Sequence, residues 1–209
     1  VVRWELDGSM TIVADAFDGK ALNSPNDVVV KSDGTIWFTD PEYGLKTNPQ
    51  TKRREGKEQP GNFVYRHDPR TGSITAVARD FDQPNGLAFS PDERWLYVVD
   101  TGASHVPDGP RLLRRYAVAP DGRSLQDGQH FAHCSIGLFD GVRFDVDGNL
   151  WAGAGDGVHC LAPDGTLIGK VRVPEVVANV CFGGPKRNRL FICGTTSLYA
   201  VYLKATGAS

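Results

Sequence analysis

The feature that most constrains this chain is a short unit that recurs along it. Ser24-Pro25-Asn26-Asp27-Val28-Val29-Val30 leads through Asp33-Gly34 to Thr35-Ile36-Trp37-Phe38-Thr39-Asp40. Gln83-Pro84-Asn85-Gly86-Leu87-Ala88-Phe89 leads through Ser90-Pro91-Asp92 to Arg94-Trp95-Leu96-Tyr97-Val98-Val99-Asp100. Phe139-Asp140-Gly141-Val142-Arg143-Phe144 leads through Asp147-Gly148 to Asn149-Leu150-Trp151-Ala152-Gly153. A weaker copy runs from Asn179-Val180-Cys181-Phe182 through Gly183-Gly184-Pro185 to Arg189-Leu190-Phe191-Ile192-Cys193-Gly194. Each is a strand, a turn and a second strand, and Asp-Gly between two β-rich runs is a strong hairpin signal. Further pairs lie between copies: Phe63–Arg66 with Ile74–Val77, and Val158–Leu161 with Leu167–Ile168. About four strands per unit is the content of a β-propeller blade. The copies start 59, 55 and 39 residues apart, the last close to a usual blade period and the first two lengthened by insertions.

The fold class expected is therefore all-β, a β-propeller, with 1–209 as a single domain. Four copies of the inner hairpin, an opening stretch 1–14 that resembles the outer pair of a preceding blade, and one strand after the final hairpin describe four to five blades. The expectation is a propeller lacking its N-terminal blade or blades. A stacked solenoid is the competing architecture, and the irregular insertions argue against it. The 24 Gly and 13 Pro that punctuate the 209 residues agree with short strands and tight turns.

Charge narrows the partners. With 23 Lys+Arg against 25 Asp+Glu the net charge is -2, which excludes a generally basic nucleic-acid binder. No apolar run reaches the length of a membrane-spanning helix, and the opening Val1-Val2-Arg3-Trp4-Glu5 has no signal-peptide pattern. The expectations are a small-molecule substrate, neither nucleic acid nor membrane as partner, and a cytoplasmic location unless upstream sequence carries an export signal. Cys134, Cys160, Cys181 and Cys193 form no C-x-x-C pair and read as buried strand cysteines in a reducing compartment.

The chemistry sits where each inner strand begins. Asn26, Asn85 and Asp140 each precede an apolar residue, Val30, Phe89 or Phe144, by four positions. Equivalent positions of successive blades face one axis, so three oxygen-bearing side chains are expected to meet there. Amide carbonyls and carboxylates suit hard cations, and calcium's six to eight oxygens fit several blades giving one each. Taken singly, Asn or Asp before Gly86 or Gly141 is an ordinary turn residue; the register of all three favours ligands.

Leu22-Asn23-Ser24-Pro25-Asn26-Asp27-Val28-Val29-Val30, Phe38-Thr39-Asp40-Pro41-Glu42-Tyr43-Gly44, Gln83-Pro84-Asn85-Gly86-Leu87 and Phe139-Asp140-Gly141 resemble the gluconolactonase / senescence marker protein (regucalcin) family, over about residues 1 to 203. The resemblance implies a six-bladed propeller with one catalytic divalent ion, usually calcium, that hydrolyses sugar lactones such as gluconolactone; zinc, magnesium and manganese are the alternatives. It gives Asn85 and Asp140 as metal ligands and Asn26 as the asparagine facing metal and substrate. The family's glutamate ligand in the first blade has no counterpart here. Asp140, the one carboxylate of the set, is the candidate base for an activated water. A metal-dependent phosphotriesterase or arylesterase on the same fold, and a non-catalytic binding propeller, are the competing readings.

The loops after the second strands return to the ligand side. They offer Tyr43 and His105 as substrate contacts, although either could be an ordinary loop residue. Loop 41–62 carries Lys46, Lys52, Arg53, Arg54 and Lys57, which reads as a solvated loop or as a lid for acidic sugars. Gly153-Ala154-Gly155-Asp156-Gly157 has no following helix and reads as a blade turn. His130 and His133 read as exposed loop residues, Trp37, Trp95 and Trp151 as blade packing, and Asp40 and Asp100 as structural ends of their strands.

Overall fold

The computed structural model describes residues 1–47, 50 and 55–208. Its strands follow chain order. β1 (Val2–Trp4) pairs with β2 (Met10–Ile12), and β3 (Ala16–Phe17) with β4 (Lys20–Ala21). Then come β5 (Val28–Val30), β6 (Ile36–Asp40), β7 (Asn62–Asp68) and β8 (Ser73–Phe81), one four-stranded sheet. A second sheet holds β9 (Pro84–Phe89), β10 (Trp95–Asp100), β11 (Leu112–Val118) and β12 (Leu125–His133). A third holds β13 (Val142–Phe144), β14 (Leu150–Ala154), β15 (Gly157–Leu161) and β16 (Leu167–Arg172). The last, of β17 (Val177–Gly183), β18 (Arg189–Gly194) and β19 (Leu198–Tyr202), has three strands among the described residues. Each is a meander of neighbours in order, as in the blades of a β-propeller, and the class is all-β. The one described helix is a 3-10 turn at Gly102–Ser104.

The Asp-Gly turns work as the sequence implies. Lys31 N–H bonds Thr35 O while Gly34 N–H closes back on Lys31 O, and Gly34 takes φ 82. Asp145, Asn149 and Gly148 repeat this arrangement, again with φ 82 at the glycine. This is a type I turn followed by a left-handed residue, the three-residue hairpin loop. The second copy is one residue longer, Ser90 to Trp95, and Glu93 takes the left-handed position with φ 55.

The chain divides into two compact units, Val1–Pro84 and Asn85–Ser209. In the first, Phe38, Phe63 and Tyr65 of the sheet bury against Ala14 and Leu22, with the Phe17 ring tilted against Tyr65 at a centroid distance of 5.1 Å. In the second, one core joins Ala88, Tyr97, Val99 and Leu113 to Phe139, Val142, Phe144 and Leu150. Another joins Trp151, Val158 and Cys160 to Val180, Phe182, Leu190 and Ile192. Successive sheets of this unit thus pack face to face, each sharing apolar rows with the next.

Some expectations change. Cys134 and Cys160 are buried, but Cys181 and Cys193 are exposed, because they alternate onto the uncovered face of their strands; all four are free thiols. His130 and His133 lie on β12 rather than in a loop, and both are exposed. Trp37 and Trp151 are core residues as expected, while Trp95 is half-buried under the Arg115 guanidinium. The pairs β3–β4 and β11–β12 were not picked out from the sequence pattern. No described helix is long and apolar enough to cross a membrane.

Candidate functional site

The repeat register is literal in the backbone. Asn26 N–H bonds Thr39 O and Thr39 N–H bonds Asp27 O; Asp140 N–H bonds Gly153 O and Gly153 N–H bonds Gly141 O. Asn26 and Asp140 are therefore the same position of two sheets, each just outside the first ladder pair of its inner strand. Asn26 is exposed and Asp140 half-buried.

Within the second unit, Asn85 and Asp140 are brought together. A Cβ on Gly86 would overlap the carbonyl oxygen of Asp140 and sit 2.9 Å from its carbonyl carbon. The residue after Asn85 therefore has to be glycine for the two inner strands to approach backbone to backbone. The next strand arrives in the same way: Gly141 N–H bonds Ala178 O at 2.8 Å, and a Cβ on Gly141 would overlap the Asn179 carboxamide. Asn85 is 7% exposed. An amide carbonyl and a carboxylate, the groups that Asn85 and Asp140 carry, are hard-oxygen donors of the kind that suits a calcium-type cation. No group of three or more His, Cys, Asp and Glu that could hold a metal ion gathers among the described residues, so any ion here would depend on amide and backbone oxygens or water as well.

His105 follows β10 and so lies at the end of the sheet from which β9 starts. It is exposed, with Nδ1 2.8 Å from Ser104 Oγ. In the first unit, Tyr43 is half-buried at the Asn26 end of its sheet. Ser24 Oγ donates to Pro41 O and accepts from Gly44 N–H, which pins the Tyr43 turn to the strand leading into Asn26. Of the basic loop, Lys52, Arg53 and Arg54 lie outside the described residues. Lys57 is committed to Glu42 at 2.6 Å and to Asn62 at 3.0 Å, so it is a structural cation here, and Lys46 is exposed.

Asp40 and Asp100 are structural, as expected. Asp100 accepts from Gly102 N–H. Asp40, fully buried, accepts from the backbone N–H groups of Asn23 and Ser24. Burial pushes its carboxyl up to about 6, against the pull of those two amides. A carboxyl whose pKa is higher folded than unfolded binds extra protons in the folded state between pH 4 and 6. Its stabilising contribution is present below that window and lost as pH rises through about 6. Wild type should therefore lose up to about 3 kcal/mol between pH 4 and pH 7 relative to Asp40→Asn. Denaturant midpoints of both proteins across that range measure the difference in slope; parallel curves would contradict it.

Sequence reasoning missed a part-buried polar cluster that packs on Phe139, the residue before Asp140. His159, 1% exposed, stands 2.6 Å from Asp156 Oδ1, and Asp156 Oδ2 accepts from Lys170 Nζ at 2.8 Å. These residues come from a turn and two strands, so spacing alone gave no signal.

With this geometry in view, comparison with known proteins is decisive on family. Residues 1–196 match the model of the SMP-30/Gluconolactonase/LRE-like region. The chain belongs to that family. Among SMP-30/gluconolactonase relatives, the Gluconolactonase of Zymomonas mobilis is 32% identical over 94% of this chain and 55% of its own length. Lactonohydrolase oryL of Aspergillus oryzae is 28% identical over 90% of this chain and 46% of its own. The chain thus spans about half the length of these curated relatives. A gluconolactonase structure from Xanthomonas campestris superposes with TM-score 0.84 at 37% identity, covering 96% of this chain and 64% of that one.

Proposed function

We propose that this chain carries the hydrolytic centre of a metal-dependent lactonase that opens sugar lactones such as gluconolactone. The observation that carries the reading is the apposition of Asn85 and Asp140 through the close approach at Gly86. Family membership and the lactone-hydrolysing relatives support it. Asn85 and Asp140 would hold one divalent ion, calcium by donor chemistry, with zinc, magnesium or manganese as alternatives. Bound there, the ion would supply a Lewis acid for the lactone carbonyl.

The protein's own part begins with Asp140, whose carboxylate takes a proton from water as the oxygen adds to the carbonyl carbon. The ring C–O bond then breaks, and the departing alkoxide recovers a proton to give the hydroxy acid. Asn26, at the equivalent position of its own sheet, offers the same kind of group, an amide oxygen with Nδ2 as a hydrogen-bond donor. Tyr43 and His105, each at the strand-start end of its own sheet, are assigned to sugar hydroxyls. Four free thiols favour a reducing, cytoplasmic setting.

The test is acid release by the purified chain from glucono-1,5-lactone, an aryl acetate and a phosphotriester, each with calcium, with manganese and after chelation. The expected result is lactone opening that chelation removes and metal restores. Preference for the phosphotriester or aryl acetate would move the assignment to those substrates. Metal binding without turnover of any of the three would leave a binding propeller.

A further inference from the structure

We infer that His159 is a positioning residue for Asp140, acting through Phe139. The inference rests on the assignment of Asp140 to the metal and to the reacting water. Phe139 immediately precedes Asp140 and is 1% exposed. Its ring meets the His159 imidazole edge to face, centroids 5.7 Å apart at 87°.

His159 is itself fixed from two sides. Its Nε2 is 2.6 Å from Asp156 Oδ1. Lys170, its cross-strand partner on β16, holds the other oxygen of Asp156. Asp156 sits in the β14–β15 turn, at the end of the sheet where Asp140 begins its strand. The same turn grips the segment leading to Phe139, because Gly155 N–H donates to Ile136 O. A Cβ on Gly137 would lie 2.9 Å from Gly155 Cα.

A polar group this deeply buried is a poor way to gain stability, since an apolar side chain of similar volume would avoid its desolvation cost. What the trio supplies is direction. Imidazole hydrogen-bonded to a charged pair has one ring orientation, whereas a leucine or phenylalanine there could settle in several. That orientation fixes the Phe139 ring, and with it the backbone from which the Asp140 carboxylate projects. Outer partners that orient a ligand typically matter 10- to 100-fold in metal affinity or activity.

The test uses His159→Phe, which keeps a ring against Phe139 but loses Asp156, and Asp156→Asn, which keeps the His159 ring but loses the charge. Two quantities are read well below each variant's melting temperature: Mn2+ affinity by water-proton relaxation, and kcat and KM for glucono-1,5-lactone. The expected result is about a 10- to 100-fold loss in Mn2+ affinity and in kcat at saturating metal, with KM within about threefold. A lower melting temperature with both quantities unchanged would make the trio purely structural and overturn the inference. If His159→Phe fails to fold, Asp156→Asn decides by the same criteria. If wild type binds Mn2+ without opening lactone, the lactonase reading fails alone and the affinity comparison still decides the role of His159. If wild type neither binds Mn2+ nor opens lactone, there is no site for His159 to serve and both readings fall.

Discussion

Asp140→Asn is expected to lower lactone turnover by about three orders of magnitude, the middle of the range for a lost general base. The substitution is nearly isosteric, so the features that place the residue survive it. Its backbone N–H still bonds Gly153 O, Phe139 still packs on His159, and Gly141 still admits Asn179. What goes is the charge and the proton acceptor. In the proposed site Asp140 would be the one carboxylate, so its loss would leave only neutral oxygens for a dication, and metal affinity should fall at least tenfold as well. Measuring kcat at saturating metal separates the two losses. An Asn variant that keeps more than about a tenth of wild-type kcat, with metal affinity unchanged, would remove Asp140 from both roles.

How much of this was legible beforehand follows from the range of the interactions involved. The hairpins were legible because their signals are local. Asp33-Gly34 and Asp147-Gly148 dictate turns within four residues, and alternating apolar residues dictate the strands on either side. The equivalence of Asn26 and Asp140 was legible because a repeat places the same residue at the same point of each sheet, and their identical backbone bonds are that equivalence. The Asp156–His159–Lys170 cluster was not, because its members meet only after β14, β15 and β16 have paired. A lone histidine on a strand looks the same whether it faces water or a carboxylate. The commitment of Lys57 to Glu42 and Asn62 was hidden for the same reason: fifteen residues separate the ion pair, and the sequence shows only a basic loop. Exposure of Cys181 and Cys193 depended on which face of the last sheet is covered, a tertiary fact that strand alternation alone leaves open.

Gly86→Ala should be among the most damaging single-methyl additions in the chain. The new Cβ would overlap the Asp140 carbonyl oxygen, stand 2.9 Å from its carbon and 3.0 Å from Gly141 Cα. All three atoms are backbone, so no side-chain rotation relieves the clash, and the inner strands β9 and β13 have to separate. Overpacking of this kind costs about 3 kcal/mol or somewhat more, equivalent to roughly a 6–12 °C fall in melting temperature for a chain of this size. Gly169→Ala on β16 is the control, since nothing lies within 4 Å of its Cβ position; it should stay within about 0.5 kcal/mol of wild type. The functional consequence is separable from the loss of stability. Below its melting temperature, Gly86→Ala should still bind metal more weakly and turn over lactone at least about a hundredfold more slowly, because a shift on the order of 1 Å in a positioning contact is enough for that. Were Gly86→Ala to melt and turn over like wild type, the two inner strands could not be in backbone contact. Asn85 and Asp140 would then have no structural reason to share an ion.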